Sequence, residues 1–223
     1  MIMWPFKKHF TTKNTQLFLD KTDWHSHILP KVDDGAQTLE ESLTMLLCMQ
    51  KSGIKNVWAT PHIMEDVPNT TAFLKERFEE LKAAYKGPIT LNLGAEYMLD
   101  NLFKERFKND DLLPLVRDGR KCLLIETSYV APPENFLETI DEIRDKGYHP
   151  VLAHPERYLY MGNKEYKKLV RRGVSFQINV PSLAGYYGSF IRKKAVILLY
   201  DGYYDFWGTD AHQPYGLEKI FKK

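Results

Sequence analysis

The sequence is poor in cysteine and has no long apolar run, and each absence excludes a class of protein. Its two cysteines, Cys48 and Cys122, lie among apolar residues, which indicates buried free thiols in a reducing compartment rather than a disulfide framework. No stretch approaches the roughly 18 uninterrupted apolar residues of a membrane span. Segment 1–8 lacks the apolar core and small-residue cleavage site of a signal peptide. We therefore expect a cytoplasmic protein without stable membrane insertion.

The sequence also lacks a charge excess and the signatures of several hydrolase classes. Its 31 Lys and Arg residues and 29 Asp and Glu residues are mixed along the chain, which gives no argument for nucleic acid as a partner. There is no Gly-x-Ser-x-Gly elbow and no Walker-type phosphate loop. A cysteine phosphatase commonly carries an arginine six positions after its cysteine, where this chain has Ile54 and Ser128. Those hydrolase chemistries are therefore less well supported.

What the sequence does contain is an alternation of short apolar runs and amphipathic helical segments. Such alternation without a Gly/Ser/Pro-rich linker predicts one α/β domain with a parallel sheet, open or closed, over residues 22–223. Residues 1–21 are expected to form a poorly ordered N-terminal arm. Strands are predicted at 22–25, 56–60, 89–93, 122–125, 150–153, 175–179 and 204–207, and helices at 38–53, 71–86, 134–146, 164–172 and 190–201.

The first helix carries the clearest local signals. Thr38 is predicted to cap it, with Glu41 three residues later completing a capping box, and Gly53 suits its end. Leu43, Leu46, Leu47 and Gln50 continue at helical spacing.

Polar residues follow most of the predicted strands, at or just beyond their carboxyl ends. In α/β barrels this is the edge where active sites are built, so the coincidence favours a barrel. The residues are His62, Glu96, Glu126, His154 and His212.

Two short phrases near the chain ends resemble metal-ligand pairs. Residues two apart on a strand share a face, so His25 and His27 can bind one ion, and so can Asp210 and His212. Imidazole and carboxylate without thiolate suit Mn, Fe or Zn in a hydrolytic role. Arg157 is a candidate for a bidentate phosphate contact.

Each of these features has an ordinary structural explanation when it is taken singly. Asp33-Asp34-Gly35 is also a plausible turn, and Glu156-Arg157 a surface ion pair. The joint placement at strand ends favours a site. His9, in the basic arm, and His149, in a Gly-Tyr-His-Pro turn, have no such setting and are left out of it.

The order of the polar phrases resembles the polymerase and histidinol phosphatase (PHP) superfamily. Within it, Ile28-Leu29-Pro30 and Leu124-Ile125-Glu126 are characteristic of the CpsB/YwqE-type tyrosine-protein phosphatases of capsule and exopolysaccharide synthesis. The resemblance covers residues 20–214. The motifs that carry it are His25-Ser26-His27, Asp33-Asp34-Gly35, Thr60-Pro61-His62, Gly94-Ala95-Glu96, Ala153-His154-Pro155-Glu156-Arg157-Tyr158 and Thr209-Asp210-Ala211-His212.

The resemblance implies a distorted (β/α)7 barrel, a PHP-type TIM-like barrel, with three metal ions, typically Mn²⁺, with Fe or Zn as other occupants. Arg157 would bind the phosphate, and His62 or His212 would assist by hydrogen bonding. Asp34 is preferred to Asp33 only by alignment with the family motif. The implied ligands are His25, His27, Glu96 and Asp210 for the first ion, Glu96, Glu126 and His154 for the second, and Asp34, His62 and His212 for the third.

The activity that the resemblance implies is hydrolysis of phosphotyrosine by a metal-bound hydroxide, with the tail of a bacterial tyrosine autokinase as substrate. Two alternatives stay open: a small-molecule phosphatase acting on histidinol phosphate or a sugar phosphate, and a metal-binding regulatory protein without turnover. The chain departs from its relatives after His212, where Gln213-Pro214-Tyr215-Gly216-Leu217 replaces an arginine-rich segment. This departure bears on catalytic efficiency and substrate preference more than on metal binding. An oligomer is also left open.

Overall fold

The computed structural model describes residues 19–221, with side chains described for residues 19–217. Residues 1–18 of the expected arm, including His9, lie outside this range. Within the arm, the Asp20 carboxylate accepts hydrogen bonds from the indole nitrogens of Trp24, at 3.0 Å, and Trp207, at 3.3 Å. Among the described helices, none is both long and apolar enough to cross a bilayer.

Ten strands and a set of helices alternate through the described residues. The predicted strands are confirmed with small shifts in their bounds. The strands are β1 Thr22–Ser26, β2 Asn56–Ala59, β3 His62–Ile63, β4 Thr90–Leu93, β5 Glu96–Met98, β6 Leu115–Arg117, β7 Arg120–Glu126, β8 His149–Ala153, β9 Ser175–Asn179 and β10 Tyr204–Gly208. The helices are α1 Leu39–Lys51, α2 Thr71–Ala84, α3 Asn101–Lys108, α4 Phe136–Asp145, α5 Asn163–Arg171, α6 Val180–Ala184, α7 Ser189–Tyr200 and α8 Pro214–Phe221, with a 3-10 turn at Pro155–Arg157.

The strands form a mixed α/β fold with two parallel sheets. The first has the order β1-β2-β4, and the second has the order β10-β9-β8-β7-β5-β3, with β6 antiparallel to β7. Sequence periodicity did not predict β3, β5, β6, α3, α6 or α8. Strands β3 and β5 are short because Pro61 and Gly94 interrupt the runs that precede them.

Backbone hydrogen bonds link the edges of the two sheets. The Asp210 amide, just after β10, donates to the His25 carbonyl of β1 at 2.8 Å, and the His27 amide donates to the Ala211 carbonyl at 2.9 Å. The buried Asp23 carboxylate strengthens this link by accepting from the amide and hydroxyl of Thr209, at 2.9 and 2.6 Å. The first and last strands are thereby held side by side.

Apolar side chains pack into two clusters. The larger one lies between the sheets and the helices, and the second is smaller. On β7, residues alternate between the two clusters: Leu123 and Ile125 belong to the larger one, and Cys122 and Leu124 to the smaller. Glu126 continues the face of Cys122 and Leu124, so its carboxylate extends from the top of the smaller cluster. The smaller cluster comprises Trp24, Trp58, Leu115, Cys122, Leu124, Val151, Ala153 and Phe206.

The first helix differs from its prediction in two respects. Thr38 caps it as predicted, accepting from the Glu41 amide at 3.1 Å, but the Glu41 carboxylate accepts from the amide of Gln37 rather than that of Thr38. The buried stripe lies one position earlier than predicted, on Ser42, Met45, Leu46 and Met49, and Leu47 is 45% exposed. The two stripes overlap at Leu46, and only docking of the helix decides which is buried.

Candidate metal centre

The predicted ligands converge at the carboxyl ends of the strands. His25 lies in β1 and Glu126 ends β7, while His154 follows β8 and Asp210 follows β10. His154 and Asp210 both have positive φ, at 34° and 49°, a strained backbone conformation that is frequent at functional sites. Nitrogen and oxygen atoms with metal-like spacing form three groups: His25, His27, Glu96 and Asp210; His62, Glu96 and Glu126; and His27, Asp34, His62 and His212.

The first group is fully enclosed by the protein. The Nε2 atoms of His25 and His27 lie 3.1 Å apart, and Glu96 Oε2 lies 3.1 Å from the first and 3.3 Å from the second. Asp210 Oδ1 lies 3.3 Å from His27 Nε2. These are the four residues that the family resemblance assigns to one ion.

The second group differs from the predicted set in its histidine. His62 Nδ1 lies 3.2 Å from Glu96 Oε2 and 3.1 Å from Glu126 Oε1. His154 Nε2 lies 3.1 Å from Glu96 Oε1 but 3.9 Å from Glu126 Oε2. Glu96 therefore faces the first group with its Oε2 atom and faces His154 with its Oε1 atom.

The third group is the most open to solvent. Asp34 Oδ1 lies 3.3 Å from His212 Nε2 and 3.6 Å from His62 Nε2, and the Asp34 side chain is 72% exposed. His62 thus presents one ring nitrogen to this group and the other to Glu126. Because a neutral imidazole has a single free lone pair, only one of these nitrogens can bind an ion, and the other carries the hydrogen.

Unsatisfied buried atoms indicate that these residues fit a cation. Within the described residues, buried side-chain atoms of four predicted ligands have no hydrogen-bond partner: His62 Nδ1, Glu96 Oε2, Glu126 Oε1 and His154 Nδ1. Leaving such groups unpaired costs about 1–3 kcal/mol each. A set of imidazoles and carboxylates without thiolate matches the preferences of Mn, Fe and Zn in hydrolytic sites.

The charges of the first group show which species competes with a cation. Burial lowers the pKa of His25, but the carboxylates of Glu96 and Asp210 outweigh burial and raise this pKa to about 9. The pKa of His27 is also raised, because Asp33, Asp210 and Glu96 outweigh its burial. Burial raises the carboxyl pKa of Glu96 and Asp210, and the surrounding histidines outweigh it and lower both. The raised pKa values of His25 and His27 favour protonation of these rings, so a proton competes with a cation for this position.

The structure separates the roles of Asp33 and Asp34. Asp33 Oδ2 lies 2.8 Å from His27 Nδ1 and accepts from the His62 amide at 3.0 Å, and its side chain is buried. It orients His27 so that Nε2 faces the first group. Gly35 makes the close approach possible, because a Cβ there would lie 2.2 Å from the His27 carbonyl oxygen. Spacing alone left this assignment open.

Arg157 lies between two aromatic rings at the edge of the metal-ligand cluster. Its guanidinium carbon is 4.5 Å from the ring centroid of Tyr129 and 4.4 Å from that of Tyr187, and Nη1 donates to Asp210 Oδ2 at 2.9 Å. Burial lowers the pKa of Arg157 and Asp210 raises it, so the guanidinium stays charged. Neither tyrosine was predicted, because neither stands in a motif.

A cleft of about 360 Å³ opens beside Arg157. Tyr186, Tyr187 and Tyr215 supply aromatic surface, and Asp34 and His212 line the side next to the third group. Among the residues with described side chains, Arg157 is the one arginine or lysine that lines it. His149 is remote from this cleft, and its Nε2 lies 2.8 Å from Ser175 Oγ at the other end of the strands.

Comparisons with known proteins match nearly the whole described chain. A family model described as "Capsular polysaccharide synthesis, CpsB/CapC" matches residues 21–216. Tyrosine-protein phosphatase YwqE of Bacillus subtilis (strain 168) is 32% identical over 201 residues, covering 85% of this chain and 76% of that protein. Tyrosine-protein phosphatase CpsB of Streptococcus pneumoniae is 31% identical over 194 residues, covering 78% and 75%.

A solved structure gives the same relationship in three dimensions. It is described as "Crystal structures of YwqE from Bacillus subtilis and CpsB from Streptococcus pneumoniae, unique metal-dependent tyrosine phosphatases". It superposes with a TM-score of 0.79 at 29% identity and covers 91% of this chain and 88% of that chain. The comparisons confirm the resemblance that the motifs indicated.

Proposed function

The chain belongs to the CpsB/CapC family of capsular polysaccharide synthesis, and from this premise we propose that it is a metal-dependent protein-tyrosine phosphatase. The names of its relatives support the activity. The observation that carries the proposal is the enclosed group of His25, His27, Glu96 and Asp210, with the charged Arg157 bonded to Asp210. A cation site joined to a phosphate-binding arginine is what hydrolysis of a phosphate ester needs.

We infer that the chain binds three ions, with Mn²⁺ as the metal and Fe or Zn as other occupants. The three groups of facing nitrogen and oxygen atoms support the number, and the absence of thiolate supports the metals. His154 would join Glu96 and Glu126 at the second ion, and His62 Nε2 would join Asp34 and His212 at the third. Divalent ions held there would supply a nucleophile from water at neutral pH and neutralise charge on the phosphate.

Arg157 binds and orients the phosphate in this proposal. The rings of Tyr129 and Tyr187 hold the guanidinium plane, and Asp210 takes one of its five N–H donors, which leaves the others for phosphate oxygens. His62 and His212 act in this proposal as ligands of the third ion, because their other ring nitrogens face Glu126 and the Asp210 carbonyl. Because a phenolate leaves readily, the reaction needs less help from a general acid than an alkyl ester would.

The proposed substrate is a phosphotyrosine protein, specifically the tail of a bacterial tyrosine autokinase that controls polysaccharide export. The aromatic cleft beside Arg157 is open to the surface, which suits a phosphotyrosine on a flexible segment. The capsular polysaccharide description of the family supports the pathway. The autokinase itself rests on the family resemblance.

We also propose that residues 22–223 form one closed (β/α)7 barrel. The bonds from Asp210 to His25 and from His27 to Ala211 support closure, because they join β10 of one sheet to β1 of the other. At the opposite edges the chain runs directly from β2 into β3 and from β4 into β5, which keeps these edges together. The smaller apolar cluster also supports barrel closure, because its side chains come from strands of both sheets.

The decisive experiment compares substrates on purified chain with added Mn²⁺. We expect hydrolysis of a phosphotyrosine peptide to exceed that of histidinol phosphate, and metal analysis to find bound ions. Arg157→Ala should raise KM for the peptide more than it lowers kcat, whereas the control His149→Gln should change neither. Preference for histidinol phosphate would favour a small-molecule phosphatase. Metal binding without turnover would favour a regulatory protein.

A further inference from the structure

Two amide side chains on β9 connect a histidine and a carboxylate of the first group. Gln177 Oε1 lies 2.9 Å from His25 Nδ1, and Asn179 Nδ2 donates to Asp210 Oδ2 at 2.5 Å. Gln177 Nε2 donates to Asn179 Oδ1 at 2.9 Å and so joins the two amides. Gln177 and Asn179 are both 0% exposed. They lie two apart on one strand, so both face the same side.

The orientation of the Gln177 amide is fixed by its neighbours. Its Nε2 faces two acceptors, Asn179 Oδ1 and the Ile178 carbonyl at 2.7 Å, so this atom must be the NH₂ nitrogen. Its Oε1 faces His25 and also accepts from the His154 amide at 3.2 Å. His25 must therefore carry its hydrogen on Nδ1. This leaves His25 Nε2 as the atom that can give a lone pair to a cation.

The same reasoning identifies which oxygen of the Asp210 carboxylate faces the cation position. Asn179 uses Oδ1 as an acceptor for Gln177, so its NH₂ group faces Asp210 Oδ2. Arg157 Nη1 donates to the same oxygen, which is therefore occupied. Asp210 Oδ1 is left facing His25 Nε2 at 3.4 Å and His27 Nε2 at 3.3 Å.

We propose that Gln177 and Asn179 are positioning residues that act as one directional hydrogen-bond chain, His25 to Gln177 to Asn179 to Asp210. This hydrogen-bond chain fixes both the tautomer of His25 and the oxygen of Asp210 that stays free, so both ligands present a lone pair to the same cation. Gly208 gives it room, because a Cβ there would lie 2.5 Å from His25 Cβ and 2.9 Å from Gln177 Nε2. The proposal rests on the metal binding proposed above and not on turnover.

The test is a double-mutant cycle read by Mn²⁺ affinity, measured as free Mn²⁺ by electron paramagnetic resonance. Gln177→Met has similar volume but cannot accept from His25, and Asn179→Leu has similar volume, adds no charge and cannot donate to Asp210. Loss of an outer hydrogen-bond partner of a metal ligand typically weakens binding about 10- to 100-fold, and each variant should fall in this range. Because the two act as one chain, the double variant should lose far less than the product of the single losses.

Ser175→Ala is the matched control, because it removes a hydrogen bond to His149 from the same strand at its far end. It should keep the Mn²⁺ affinity of the unchanged chain. Thermal unfolding in excess chelator checks that each variant folds. Wild-type affinity in Gln177→Met, or fully multiplicative losses, would overturn the proposal.

Nitrogen-15 NMR of the unchanged chain loaded with Zn²⁺ gives a test that needs no variant. His25 should keep its hydrogen on Nδ1 and bind Zn²⁺ through Nε2. A hydrogen on Nε2, or coordination through Nδ1, would refute the proposed hydrogen-bond chain even if Gln177→Met does not fold. Absence of phosphatase activity would leave each of these readouts unchanged, so failure of the proposed function and failure of this proposal are distinguishable.

Discussion

Metal affinity should depend steeply on pH, because a cation must displace a proton from the first group. The relevant perturbation is the change from pH 8.5 to pH 6.5. His25 has a pKa of about 9 in the metal-free chain, raised by Glu96 and Asp210 against the effect of burial. Below this pKa the protonated form dominates, and binding releases the proton.

The magnitude follows from that pKa. For a single competing proton, the Kd for metal is multiplied by one plus ten raised to the pKa minus the pH. Between pH 8.5 and pH 6.5 this factor grows about 80-fold, which corresponds to about 3 kcal/mol. The raised pKa of His27 makes the dependence steeper.

Isothermal titration calorimetry with Mn²⁺ in buffers of different ionisation enthalpy measures both the Kd and the protons released. We expect at least one proton released per first-site ion at pH 7. His149→Gln should keep the same slope, because His149 is bonded to Ser175 at the far end of the strands. A Kd that is constant across this range, with no proton release, would refute the electrostatic reasoning.

The unfolding stability of the metal-free protein should depend on the same protonation of His25. The folded-state pKa of His25 is raised above its ordinary value of 6.5, so the stabilisation is fully present below pH 6.5 and is lost as pH rises through about 9. The shift corresponds to about 3 kcal/mol for this buried group. In excess chelator, the thermal midpoint should therefore fall between pH 6.5 and pH 9, and saturating Mn²⁺ should remove this fall.

Three further predictions concern single side chains. His154→Ala should abolish peptide turnover while circular dichroism stays unchanged, and retained turnover would remove His154 from the site. Tyr187→Ala should raise KM for the phosphotyrosine peptide about 5- to 30-fold, because it removes one of the two rings that contact the Arg157 guanidinium, and such a contact contributes about 1–2 kcal/mol when desolvated. The control Tyr187→Phe should keep KM near wild type. Equal losses in both variants would contradict the ring contact. Tyr204→Phe should lower the free energy of unfolding in urea by about 1–3 kcal/mol, because it deprives the buried Glu156 carboxylate of a donor at 3.0 Å, and an unchanged midpoint would contradict this.

Local periodicity was sufficient for much of the fold. Strand β7 is a continuous apolar run and α1 has a cap and a terminal glycine, so both could be placed from neighbouring residues alone. Strands β3 and β5 could not, because two or three residues carry no periodic signal, and both exist as strands only through pairing with neighbouring strands, β3 with β5 and β5 also with β7. The stripe of α1 was misplaced because Leu46 fits both alternatives.

The sequence by itself determined which residue types stand at the strand ends, and hence the chemistry and the family. His25 and His27 share one strand, and their spacing already brings them together. The tertiary structure alone decided how distant segments meet: that Asp33 orients His27, that His62 lies between two groups, and that Gln177 faces His25. These relations depend on strand register and on which oxygen or nitrogen of a side chain faces which neighbour. Spacing along the chain contains no information on either, because both are set by contacts between segments far apart in sequence.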